Sequence, residues 1–164
     1  MKFVGNYDFV NDSCIQEILN SNGQARPRDW PPAFAVESAE YARAQEAGYD
    51  LTAVHWWVYE KQDVSFDVVP PFINGEYHWW ITKLYPGQYM PVHTDPHTHD
   101  RSCKRYWCPL QDYHPGHIFL YKDTVPVNYK KGDVFVYDQE QDIHGAANIG
   151  HTPRLILQVT EYVV

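Results

Sequence analysis

The sequence predicts a mainly β domain whose helices are confined to the N-terminal third. From Leu51 onward, apolar residues come in short runs broken by Pro, Gly and Asn, as strands joined by tight turns do. Before that point, one stretch carries a helical apolar stripe and another is rich in Ala and Glu. Composition agrees: 16% of the 164 residues are aromatic, with six Trp and thirteen Tyr, side chains that favour pleated, half-buried surfaces.

In chain order, residues 1–10 read as an edge strand. Cys14, Ile15, Ile18 and Leu19 fall on one stripe of a helix spanning about 11–20, and Ser13 with Gln16 has the spacing of a capping box. The polar run from Asn20 to Pro27 reads as a loop. Trp30-Pro-Pro leads into a second helix at about 34–47, with Gly48 as its C-cap. Both helices are expected to cover one side of the β core. Strand-like runs follow at about 51–59 and 64–69, joined by a polar turn at Glu60-Lys-Gln-Asp63. Pro70-Pro71 and Asn74-Gly75 separate them from runs at about 77–85, 89–94, 104–110, 117–121, 125–129, 133–137, 142–147 and 154–162. Short strands broken in this way predict a jelly-roll, cupin-like barrel with its core at about 77–162, inside a single domain covering 1–164.

Charge and cysteine usage narrow the function classes. A formal charge of −8 argues against a broad polyanion-binding surface, so nucleic acid is not an expected partner. Arg101, Lys104 and Arg105 form a local basic cluster, read either as a solvated loop or as a meeting point for an anionic substrate. Three cysteines, Cys14, Cys103 and Cys108, with no Cys-x-x-Cys pair, give neither a disulfide framework nor a zinc ribbon. The first residues lack a long apolar stretch, so neither a signal peptide nor a membrane span is expected, and a cytoplasmic location is the default.

The chemistry-bearing stretch is Pro91-Val-His93-Thr-Asp95. In an extended segment, residues i and i+2 project to the same side, so His93 and Asp95 can converge on one point. An imidazole from a distant strand would complete two nitrogens and a carboxylate, a facial set suited to non-haem Fe(II), and His144-Gly145 supplies a candidate. Gly145 permits close backbone approach there. Ten residues on, Arg154 opens an apolar run and shares its strand face with Ile156 and Gln158, whereas Leu155, Leu157 and Val159 share the other. A guanidinium entering a barrel interior needs an anion, and its planar fork matches a carboxylate. The plainer readings are a turn acid at Asp95, core or surface histidines, and an arginine snorkelling at the rim.

This ordered set of His93-x-Asp95, His144 and Arg154 resembles the iron(II)/2-oxoglutarate-dependent dioxygenase family, in its prolyl-hydroxylase-like branch, which is carried on a double-stranded β-helix. Tyr85-Pro-Gly-Gln-Tyr-Met-Pro-Val before the first pair and Lys131-Gly-Asp-Val-Phe-Val-Tyr137 before the second histidine resemble the same family, and the likeness covers roughly 77–162. The resemblance implies Fe(II) held by His93, Asp95 and His144, and 2-oxoglutarate as co-substrate with its distal carboxylate on Arg154. A nearby hydroxyl, from Tyr85 or else Thr82, would assist Arg154. It implies dioxygen consumption and hydroxylation of a C–H bond in a prolyl residue or a small amino-acid-like molecule, admitted past the loop at 96–104. Trp79, Trp80, Tyr89, Trp107 and Tyr121 are candidates for the barrel mouth or for core packing. Two other classes stand beside this reading. One is a non-dioxygenase metal-binding cupin, a sensor or isomerase, for which Gly132, His144 and Asn148, or His97-x-His99, resemble cupin motifs. The other is a catalytically silent binding module. Asn148 itself reads more readily as a turn residue.

Overall fold

The computed structural model describes residues 1–27, 54–94, 102–137 and 142–163. Among these, the elements are β1 (Lys2–Asn6), α1 (Asp12–Asn20), β2 (Gln24–Pro27), β3 (Val54–Tyr59), β4 (Tyr77–Leu84), β5 (Tyr89–His93), β6 (Cys103–Pro109), β7 (His117–Tyr121), β8 (Asp133–Tyr137), β9 (His144–Asn148) and β10 (Arg154–Tyr162), with a 3₁₀ turn at Lys61–Asp63. They build a seven-stranded sheet in the order β1-β8-β6-β10-β4-β3-β2 and a three-stranded sheet in the order β5-β9-β7. From β4 to β10, successive strands alternate between the two sheets, and every pairing is antiparallel. That winding is a double-stranded β-helix, the jelly-roll, cupin-like barrel, and the N-terminal helix packs against its outer side.

Strand β10 is the spine of the larger sheet. Ile156 is opposite Thr82 on one side and Pro109 on the other, and Gln158 lies between Trp80 and Trp107. Its two faces separate two cores. Leu155, Leu157 and Val159 are buried in an outer core with Ile15, Ile18, Tyr59 and Cys108. Ile156, on the other face, packs with Trp107, Phe119, Tyr121, Tyr129 and Tyr137, side chains that include both sheets, so this second core lies between them. Each fully buried Leu or Val contributes about 1.5–3 kcal/mol relative to exposure, which fixes the register of β10.

The outer core explains α1. Ile15 and Ile18 are its buried residues, and Asn11 caps its start by accepting from the Cys14 backbone N–H at 3.0 Å. The cap is therefore Asn11 and not the expected Ser13–Gln16 box; the Ser13 hydroxyl instead donates to the Asn11 side chain. At the other end, the buried ammonium of Lys83 donates to Ile18 O at 2.9 Å and to Ser21 O, while the Tyr59 hydroxyl donates to Ser21 O at 2.6 Å. A cation against the last helical carbonyls complements the helix dipole and ties α1 to β4.

Three sequence expectations are corrected. Residues 64–69 form no strand. After the 3₁₀ turn this stretch runs as an irregular strap, with Phe66 stacked on Trp79 at 6.3 Å and Asp67 accepting from the Trp79 indole. Side-chain anchors replace a ladder there. Residues 125–129 are also irregular: Pro126 has no N–H to offer a ladder, Asn128 is left-handed at φ 60°, and Val125 and Val127 are exposed. Residues 24–27, read as loop, form β2 on the free edge beside β3. The second expected helix, at 34–47, lies outside the described residues. No helix among the described residues is long and apolar enough to cross a membrane.

Candidate functional site

The barrel interior carries two groups of polar side chains, one at each end of the β7–β9 pairing. At the first, His93 on β5 is directly opposite His144 on β9. Their ring centroids are 4.5 Å apart. Gly145 makes this approach possible: a Cβ there would sit 3.1 Å from Val92 Cα and 3.3 Å from Met90 O, where the β5 register shifts. The Nδ1 atoms of both rings face backbone carbonyls, Pro91 O at 2.6 Å for His93 and Asp142 O at 2.9 Å for His144, so Nδ1–H donates and fixes the tautomer. The Asp142 carboxylate is itself held by the Tyr121 hydroxyl and by Lys122 Nζ at 2.6 Å. This clamps the turn that enters β9.

The surroundings of His144 are aromatic. Tyr137 lies at 5.3 Å and Phe119 at 6.2 Å between ring centroids. Among the described residues, no group of three or more His, Cys, Asp or Glu could hold a metal ion. The expected Fe(II) cofactor is corrected on this finding, and the 2-oxoglutarate co-substrate, which was to chelate that iron, falls with it. The physical reason is charge: two neutral imidazoles leave a dication uncompensated in an aromatic, low-dielectric interior. Asp95, expected as the carboxylate ligand, lies outside the described residues, as do His97 and His99.

At the second group, Arg154 opens β10 opposite Leu84 and is buried. It points into the barrel, as its alternation with Leu155 predicts. The phenol of Tyr129 lies near enough to the guanidinium to favour its charged form. Arg154 Nε and Nη2 have no hydrogen-bond partner among the described residues. These two nitrogens form one edge of the guanidinium, the edge whose parallel N–H bonds match the two oxygens of a carboxylate. Burial pulls the Arg154 pKa down to about 10, against the opposing pull of Tyr129, so the group stays charged at neutral pH. Tyr129 is pushed up, chiefly by its own burial. Nearby His117 is buried, with Nε2 facing Thr152 O at 3.0 Å; burial lowers its pKa, and the Arg154 charge lowers it further.

Trp107 is the wall shared by both groups. Its ring stacks on Phe119 at 4.8 Å and meets Tyr129 edge-on at 5.1 Å. Its indole N–H is buried, again with no acceptor among the described residues. At the far end of β10's inner face, Trp80 donates to Gln158 at 2.7 Å, and the Arg105 guanidinium lies 4.3 Å from the Trp80 ring.

Other expected site residues sit elsewhere. Tyr85, chosen to assist Arg154, is on the outer side with Lys83 over its ring at 4.7 Å and its hydroxyl 3.5 Å from Asn22; Arg154 shares its inner face with Leu84. The hydroxyl beside Arg154 is that of Tyr129, which the sequence could not single out because its segment is not a strand. Thr82, the other choice, donates to Ile156 O at 3.5 Å. Asn148, read as a turn residue, is instead the last residue of β9 and braces the turn that follows: its amide donates to Leu84 O and Thr152 O, and its oxygen accepts from Gly150 N. The basic cluster separates, with Arg105 buried inside, Lys104 outside at 3.7 Å from Glu161, and Arg101 outside the described residues. Trp79 belongs to the outer core.

No protein-family model matches the chain, and no curated protein does. Among solved structures, the chain is similar to a predicted oxalate decarboxylase from Thermotoga maritima, at 22% identity and a TM-score of 0.40, over 52% of this chain and 66% of that one. It is similar to the cupin domain of Schizosaccharomyces pombe Cnp3, at 14% identity and a TM-score of 0.44, over 68% and 67% of the two chains. A Cupin_2 domain of an XRE family transcriptional regulator from Enterobacter cloacae gives 11% identity and a TM-score of 0.46, over 67% and 99%. These are likenesses of fold at low identity.

Proposed function

We propose that this protein is a small-molecule-binding cupin barrel, a sensor or binding module, whose ligand presents an ionised carboxylate to Arg154. The observation that carries the reading is the buried guanidinium, with Nε and Nη2 both free of acceptors among the described residues. A buried cation with half its donors unpaired costs stability, and a carboxylate would satisfy that edge with two charge-assisted bonds. The aromatic interior of Trp107, Phe119 and Tyr137 suits an apolar ligand body. This reading needs no metal, and it places no catalytic step on the protein.

The test is a panel of acetate, benzoate, their amides and inorganic phosphate, followed by thermal unfolding and titration calorimetry. A carboxylate that binds raises stability by about 2.7 kcal/mol at one hundred times its Kd. The amides should bind at least tenfold more weakly than the carboxylates. The reading is wrong if no carboxylate raises the melting temperature at millimolar concentration, or if Arg154→Met responds to carboxylates as the wild type does.

A further inference from the structure

The outer face of the larger sheet is covered unevenly. Phe72 packs on Tyr106 at 5.1 Å between ring centroids, within the outer core, but beside Tyr106 the face opens into a groove of about 510 Å³. Its shape comes from side-chain size across three adjacent strands. Val136 on β8 is paired with Lys2 of β1 on one side and with Tyr106 of β6 on the other, so a small floor residue lies between two long walls. Val4 continues the first wall and Lys104 the second, since residues two apart share a strand face. Cys103 also lines the groove, and its thiol is in no disulfide. The lining has two lysines and no Asp or Glu, in a chain of formal charge −8. Glu161 of the neighbouring β10 lies 3.7 Å from Lys104 Nζ, but its carboxylate also accepts from the Tyr106 hydroxyl at 2.7 Å. One carboxylate against two ammonium groups leaves the groove positive, above an apolar floor that Val4, 39% exposed, extends to the surface.

We propose that this groove is a second binding site, for an amphipathic organic anion whose head group meets the ammonium groups of Lys2 and Lys104 and whose apolar body lies on Val4, Val136 and the Tyr106 ring. Its volume falls within the range of about 300–1,000 Å³ typical of small-molecule sites. Lysine ammonium groups act as point charges on flexible stems, so the groove selects for negative charge joined to apolar length, not for one head-group geometry. It is separate from the Arg154 site, because Arg154 points into the barrel and the groove is on the outer face of β1, β8 and β6. Lys104, part of the basic cluster in the sequence, thereby has an anion to meet outside the barrel.

The experiment uses the full chain with octanoate and 1-octanol as probes. Titration calorimetry measures affinity, and alkylation by N-ethylmaleimide, read by peptide mass spectrometry, locates the probe. Octanoate at ten times its Kd should slow alkylation of Cys103 about tenfold, while Cys14 on α1 reacts at its usual rate in the same sample. The neutral alcohol should protect far less, and added salt should weaken octanoate. Lys2→Met and Lys104→Met keep the length of each wall and remove one charge, and each should weaken octanoate about two- to fivefold. Arg154→Met should still protect Cys103, which separates this groove from the Arg154 site. The proposal is overturned if octanoate does not bind, if Cys103 and Cys14 are slowed alike, or if 1-octanol protects as well as octanoate. It is equally overturned if the double lysine variant binds as wild type does, or if protection disappears in Arg154→Met.

Discussion

Tyr129, from an irregular segment, lies close to the buried guanidinium of Arg154, the first residue of the central strand, and its phenol opposes the fall in that group's pKa. Arg154 Nε and Nη2 are nonetheless buried with no hydrogen-bond partner among the described residues. Binding capacity therefore carries a stability cost in the empty protein.

Replacing Arg154 with Met should make the empty protein more stable, by about 1 kcal/mol, while abolishing the response to carboxylates. Relief of a buried charge whose Nε and Nη2 lack acceptors among the described residues outweighs the loss of its interaction with Tyr129. Urea unfolding with and without benzoate checks both halves, and a destabilised Arg154→Met would show that the guanidinium is already satisfied.

Carboxylate affinity should be flat from about pH 5, above the ligand's own pKa, to about pH 9. It should then fall as Arg154, lowered to about 10 by burial, loses its proton. The sign follows from charge: above its folded pKa the site is neutral and the ligand is still an anion. For the empty protein the same shift acts oppositely. From about 10 up to the ordinary arginine value the unfolded chain binds more protons, so this group's contribution to stability rises with pH. Calorimetric titrations across pH 5–11 test the binding limb.

His117 should make the protein sensitive to mild acid. Its folded pKa lies below 6.5, chiefly through burial, so the unfolded chain takes up the proton first as pH falls and stability drops from pH 6.5 downward. His117→Gln keeps a donor near Thr152 O and removes the titration. The melting temperature of the variant should fall less steeply than wild type between pH 6.5 and 5; parallel curves would assign the acid sensitivity elsewhere.

Gly145→Ala should cost about 1–2 kcal/mol in urea unfolding, since the new methyl presses on the Val92 backbone at 3.1 Å. Forcing β5 away from β9 also parts His93 from His144. The imidazole NMR signals of both should shift together, whereas movement of only one would show that the pair does not depend on this close approach.

Much of the barrel was legible from alternation alone. The strand-like runs that became β4 to β10 could be placed to within a residue or two, and the split of β10 into a Leu155–Leu157–Val159 face and an Arg154–Ile156–Gln158 face emerged as expected. The meeting of His93 with His144 followed from two strand ends and a glycine. What alternation could not reveal was any contact made by an irregular segment. The strap at 64–69 and the stretch at 125–129 have strand-like composition, but they are held by side-chain anchors and a left-handed residue. Neither follows a period of two.

The sequence by itself determined which side chains each strand sends inward, because the direction of a Cβ in extended backbone depends only on its parity along the strand. It thereby committed Arg154 to the interior. Tertiary structure alone decided what Arg154 would meet: Tyr129 near its guanidinium and His117 within reach of its charge, with no acceptor for Nε or Nη2 among the described residues. Those neighbours come from separate parts of the chain, and only the closing of two sheets around one core brings them together.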